Sequence, residues 1–251
     1  MLNTLTHGDA TDSPPLLIVH GLFGSGRNWG VIAKRLSDTR QVIAVDMRNH
    51  GDSPWMDSHT YPDMAADLAE VIQRVGRPVD VLGHSMGGKA AMMLALTRPE
   101  LLRRLIVADI APVAYAHTQD GPLNAMRGVD LTGIDSRKDA QAQMDVDDAT
   151  ATFLLQSLDL PQRRWKLNLD VLGRDMAAIV GWPDTTGQFT GPTLFLRGAT
   201  SDYVPDSAAP AIRAAFPQAE IRTIADAGHW LHAEQPRATE AAVRAFLEGP
   251  A

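Results

Sequence analysis

Val79-Asp80-Val81-Leu82-Gly83-His84-Ser85-Met86-Gly87-Gly88-Lys89-Ala90 decides how this chain is read. An apolar run leads into a serine flanked by small residues, and the run that follows, through Ala91, Met92, Met93 and Leu94, favours helix. A serine hydroxyl is a poor nucleophile, so a protein that uses one must expose it and give it a base. A sharp strand-to-helix turn achieves the exposure, and it needs glycine where side chains would collide. Gly83 and Gly87 stand two residues to either side of Ser85, and Gly88 adds room. The helix beyond would lay its free N–H groups and positive end beneath the serine, where negative charge develops. Alone, Gly-x-Ser-x-Gly is equally an ordinary turn in a chain with 20 glycines. The rest of the sequence must therefore supply a base, an acid and oxyanion donors.

Working outward, short apolar runs at 16–19, 41–46, 78–83, 105–109, 193–196 and 220–224 read as buried strands. Helical segments at 29–36, 62–75, 207–216 and 236–247, with the one after Ser85, lie between and beyond them. In 62–75, Met64, Leu68, Val71, Ile72 and Val75 fall at helical spacing. Such alternation implies an α/β fold with a mostly parallel central sheet and helices on both faces. Functional groups then collect at the carboxyl ends of the strands. His20-Gly21, Asp46, Ser85, Asp109, Ser201-Asp202 and His229 all fall there.

Between 112 and 190 the strand signal disappears, and 137–144, 149–158 and 170–180 read as helices. That span carries too much Leu, Met and Trp for a flexible connector. The expected organisation is a core of 1–111 and 191–251 with a helical cap, 112–190, inserted in it. Leu154, Leu155, Leu158, Trp165, Met176, Ile179, Val180 and Trp182 are candidates for an acyl pocket or for the cap's own core. Helical spacing favours the core. Arg127, Arg163, Arg164, Lys166 and Arg174 face solvent or an anionic ligand, solvent being the commoner outcome.

Composition narrows the classes. With 251 residues, 45% hydrophobic and 21% charged, the chain suits one sizeable globular domain or two small ones. A net charge of −7 without a basic block argues against nucleic acid as a partner. The absence of cysteine excludes disulfides, a thiol nucleophile and thiolate metal sites. No apolar run approaches the ~20 residues that span a bilayer, and the opening MLNTLTHGDATDSPP has no charged-then-apolar signal pattern. A cytoplasmic chain without a membrane span, monomeric or homodimeric, is the expectation.

The base is sought among eight histidines. His229 lies in Asp226-Ala227-Gly228-His229-Trp230, between the last strand and the last helix, where Gly228 frees the backbone to turn. His117 falls in the insertion, His232 beside the site or on the surface, and His84 inside the elbow reads as structural. Two carboxylates compete to orient the imidazole. Asp109 ends the strand after the elbow helix, and Asp202 lies in Gly198-Ala199-Thr200-Ser201-Asp202-Tyr203-Val204-Pro205. In many proteins of this architecture the acid stands three residues after that glycine, before a Val-Pro pair. The count lands on Ser201, which favours Asp109 and leaves Asp202 as the alternative acid. Met86 supplies one oxyanion N–H, and Leu22, with Phe23 as the alternative, supplies the other from the loop after the first core strand. Phe23, His20 and Trp230 are expected at the substrate.

These segments, in this order, resemble an α/β-hydrolase over nearly the whole length. More narrowly, His20-Gly21-Leu22-Phe23-Gly24-Ser25, Asp46-Met47-Arg48-Asn49-His50-Gly51, Ser85-Met86-Gly87-Gly88-Lys89-Ala90, Asp109-Ile110-Ala111-Pro112-Val113 and Ala227-Gly228-His229-Trp230 are similar to the small bacterial esterases of the YbfF type. That resemblance implies an acid on Asp109, after the sixth strand of the family's sheet, with the cap inserted beyond it. It also implies that Ser201 joins the catalytic network. The implied activity is hydrolysis of a small-molecule ester or thioester through an acyl-enzyme, with no metal and no cofactor. Serine at the elbow argues against dehalogenases and epoxide hydrolases of the same fold. Carbon–carbon bond hydrolases, cofactor-free perhydrolases or haloperoxidases, proline-releasing peptidases and silent binding modules are the alternatives.

Overall fold

A computed structural model describes residues 1–249; residues 250 and 251, the end of the expected core segment, lie outside the described residues. The chain runs through β1 (Thr4–His7), β2 (Leu16–Val19), α1 (Gly30–Leu36), β3 (Val42–Val45), α2 (Tyr61–Val75), β4 (Val79–His84), α3 (Met86–Thr97) and β5 (Leu102–Ala108). After an irregular stretch come α4 (Asp120–Arg127), α5 (Arg137–Gln141), α6 (Asp148–Leu154), β6 (Leu158–Asp159), β7 (Arg164–Trp165), α7 (Leu169–Arg174) and α8 (Met176–Val180). The sheet resumes with β8 (Thr193–Gly198), α9 (Ala209–Ala215), β9 (Ala219–Ile224), α10 (Leu231–Glu234) and α11 (Pro236–Glu248).

Among the described residues, seven strands form the main sheet in the order β1-β3-β2-β4-β5-β8-β9. All neighbours are parallel except β1, which runs antiparallel to β3. Strand side chains alternate between two apolar layers. Leu17, Val19, Val81, Leu105, Val107 and Phe195 pack with residues of α2 and α3, while Leu16, Ile18, Leu82, Ile106, Leu194 and Leu196 pack with residues of α1 and α11. The second helix shows how local chemistry sets an element. Thr60 caps its start, Pro62 fits its first turn, and Gly76 at φ 78 ends it in the left-handed region.

The structure departs from the sequence reading at several places. The edge strand β1 carries no apolar run, because Thr4–His7 alternates between exposed and half-buried positions and pairs on one side only. Among the described residues it is the only strand ahead of β2, so the strand that ends before residue 109 is fifth, where the family count makes it sixth. The segment between β5 and β8 is not strand-free: β6 and β7 pair as a two-residue ribbon, and the helix expected over 149–158 stops at Leu154. The helix expected over 170–180 breaks at Asp175, which accepts the His59 amide at 2.8 Å. Gly121 and Pro122 mask α4, although proline is tolerated in a first helical turn.

Candidate active site

Ser85 and Asp109 directly follow strands, and Ser201 and His229 stand in the loops beyond the carboxyl ends of β8 and β9. Ser85 follows β4 with φ 52, a left-handed conformation costly for a residue with a Cβ. Its amide donates to Ala108 O at 3.0 Å, which ties the elbow to the neighbouring strand. Gly87 and Gly21 let the elbow and the loop after β2 touch. A Cβ on Gly87 would stand 2.4 Å from His20 O, and one on Gly21 would stand 3.2 Å from Ser85 Cβ. Asp109, also left-handed at φ 52, directly follows β5 and is fully buried.

Ser85, His229, Asp109 and Ser201 meet here. Ser85 Oγ is 3.1 Å from His229 Nε2, and His229 Nδ1 is 2.8 Å from Asp109 Oδ2. The other oxygen of Asp109 accepts the Gly198 amide at 2.9 Å, and Ser201 Oγ donates to Oδ2. This carboxylate is thereby held by backbone and hydroxyl donors as well as by the imidazole. Asp202, the alternative acid, stands exposed while Asp109 occupies His229 Nδ1. Tyr203, which sequence reasoning passed over, stacks on the His229 ring with centroids 3.9 Å apart and planes at 20°. His84 donates from Nε2 to the His229 carbonyl at 2.9 Å, so it holds the backbone behind the imidazole. His232 is buried, not at the surface, and stacks on Trp29 at 4.3 Å. Burial lowers its pKa to about 4.

The loop after β2 separates the two candidate oxyanion donors. Phe23 N–H donates to His50 Nε2 at 3.1 Å and is therefore occupied. Among the described residues, no protein acceptor takes the Leu22 N–H. Met86 opens α3, where backbone N–H groups lack an acceptor inside the helix. His20 commits both ring nitrogens to this loop and its neighbour: Nε2 accepts Met47 N–H at 2.9 Å and Nδ1 donates to Gly21 O at 2.7 Å.

A cavity of about 290 Å³ opens at Ser85. Leu22, Phe23, Met86 and Ile110 line it from the core, with His20 and Trp230, and Phe153, Leu154, Ile179 and Val180 line it from the segment between β5 and β8. Leu155, Leu158, Trp165 and Met176 instead pack in the interior, and Trp182 sits beside Tyr61, ring centroids 6.1 Å apart. Lys89 also reaches the cavity wall, and its ammonium donates to Val180 O at 3.0 Å and Gly181 O at 2.5 Å. Burial without a carboxylate partner lowers its pKa to about 7. Arg127, Arg163, Arg164, Lys166 and Arg174 each pair with a carboxylate away from the cavity. Among the described residues, no group of three or more His, Asp or Glu side chains is arranged to hold a metal ion, and no helix is long and apolar enough to cross a membrane.

Residues 16–242 match the alpha/beta hydrolase family. The sn-1-specific diacylglycerol lipase ABHD11 of Mus musculus is 41% identical over 97% of this chain and 83% of its own. Esterase YbfF of Escherichia coli (strain K12) is 38% identical over 94% of each chain. A solved structure described as a marine microorganism esterase superposes with a TM-score of 0.92, at 37% identity and 98% coverage of both chains. The chain belongs to the alpha/beta hydrolase family. It is a hydrolase of the esterase and lipase kind within that family.

Proposed function

We propose that this chain is a serine carboxylesterase for small esters of short acyl chains, with thioesters within reach of the same chemistry. The observation that carries the reading is the hydrogen-bond path from Ser85 Oγ through His229 to the buried Asp109, open to a cavity at its serine end. His229 takes the serine proton as Ser85 attacks the ester carbonyl, and the oxyanion rests against the Leu22 and Met86 amides. Collapse expels the alcohol, protonated by His229, and leaves an acyl-enzyme. Water activated by the same imidazole then releases the acid. Asp109 keeps the proton on Nδ1 and stabilises the imidazolium, with Ser201 fixing the carboxylate. Residues 112–190 act as a cap, supplying Phe153, Leu154, Ile179 and Val180 to the acyl wall.

The relatives named diacylglycerol lipases raise a long-chain alternative. A cavity of about 290 Å³ lies at the small end for ligand pockets and favours short chains. A series of p-nitrophenyl esters from acetate to palmitate tests this directly, with Ser85→Ala as the control. The expected result is a kcat/KM maximum at six carbons or fewer (about C2–C6) and no turnover by Ser85→Ala. A maximum at laurate or beyond would overturn the chain-length reading, and turnover by a folded Ser85→Ala would overturn the nucleophile.

A further inference from the structure

We infer that His50 is a positioning residue for the oxyanion hole: by holding the Phe23 amide it fixes the turn that leaves the Leu22 N–H free beside Ser85. The inference rests on the proposed role of Ser85. It begins with Phe23, which adopts φ 63, a left-handed conformation unfavourable for a bulky residue. Something must hold it there, and the structure ties it on both sides. Its N–H donates to His50 Nε2 at 3.1 Å, and its carbonyl accepts from Ser157 Oγ at 2.8 Å. Either peptide group, released, would be free to rotate and carry the Leu22 amide away.

His50 is built for that task. It is fully buried, and its Nδ1 donates to Arg48 O at 2.9 Å, which leaves the Nε2 lone pair for Phe23. Its backbone is held as well: its amide donates to Met47 O at 3.0 Å, it bridges to Leu167, and the next amide, Gly51 N–H, donates to Lys166 O at 2.8 Å. Burial, helped by the neighbouring His20 and His59, lowers its pKa well below the ordinary value and keeps the lone pair available. The ring takes no place in the cavity wall, so contact with substrate does not explain it. Residues 157, 166 and 167 of the segment after β5 thus brace both His50 and Phe23.

Two substitutions separate the parts of this imidazole. His50→Asn places an amide where Nδ1 stands and falls short of Phe23; His50→Gln extends an acceptor to the Nε2 position. On p-nitrophenyl acetate, His50→Asn is expected to lower kcat about 10- to 100-fold with KM changed less than about twofold, the pattern of an interaction made in the transition state. Phenylboronic acid, which forms a tetrahedral adduct with an activated serine, should bind more weakly by a similar factor. His50→Gln should recover most of both losses, and Ser157→Ala should lose a smaller part of both. A His50→Asn protein that melts with the wild type and keeps its kcat, or whose loss falls wholly in KM, overturns the inference. Should His50→Asn fail to fold, unchanged boronate affinity and kcat in Ser157→Ala overturn it instead. Turnover by Ser85→Ala would remove the nucleophile and this inference together. An inactive Ser85→Ala beside an unaffected His50→Asn removes the inference alone.

Discussion

Asp109 is the most constrained side chain of the site. Its backbone is left-handed, its amide donates to Leu196 O at 2.7 Å, and its carboxylate accepts from Gly198, Ser201 and His229. An amide in its place would turn an N–H toward one of these donors, or hold the imidazole in the wrong tautomer. Asp109→Asn is therefore expected to lower kcat on p-nitrophenyl acetate by about 10³- to 10⁴-fold. Asp202→Asn, at an exposed position, should change it less than about twofold. Steady-state kinetics of the two variants decide the matter, and the reverse ranking would transfer the acid to Asp202. Ser201 falls, by counting from Gly198, where many relatives keep their acid, and its part beside Asp109 is what the resemblance implies. Tyr203 is not, because its stack on His229 joins residues far apart in the chain and leaves no periodic trace.

At the scale of elements, the elbow works because β4, α3 and the loop after β2 approach more closely than side chains allow. A Cβ on Gly87 would meet two main-chain oxygens, His20 O at 2.4 Å and Val19 O at 2.5 Å, and neither can swing aside. Gly121, in the first turn of α4, has nothing within 4 Å of its Cβ position. Gly87→Ala is expected to lose about 1–3 kcal/mol or more through overpacking, which is a fall of several degrees in Tm. Gly121→Ala should hold or slightly raise Tm, since alanine is the better helix former. Thermal unfolding followed by circular dichroism would show it, and equal Tm values would refute the steric account of the elbow. The elbow and the core helices are legible because turn sterics and apolar spacing are local properties. The helix breaks between β5 and β8 are not, since Asp175 leaves its helix to bind the His59 amide across the molecule.

Over the whole molecule, buried neutral histidines link folding to pH. Burial lowers the pKa of His20, His50 and His84, that of His232 to about 4 and that of His59 to about 3. In the unfolded chain these imidazoles take up protons near pH 6.5. Below that pH the unfolded state binds more protons, so stability falls as pH drops from about 6.5 toward about 3. Above it, this contribution is fully present. Calorimetric Tm values should decline steadily from pH 7 to pH 4, and a flat profile would contradict the buried neutral state. The sequence by itself determined the alternating α/β architecture and the elbow at Ser85, because each follows from apolar spacing or turn sterics along the chain. It narrowed the acid to Asp109 or Asp202, with the resemblance favouring Asp109 and bringing in Ser201. Only the tertiary structure decided that Phe23 N–H is spent on His50 and Leu22 N–H is left free. It likewise decided that Lys89 ends on the carbonyls of Val180 and Gly181, and that His232 is buried against Trp29. Those outcomes depend on where side chains point and what they meet across the fold, and neither is written in the spacing of residues.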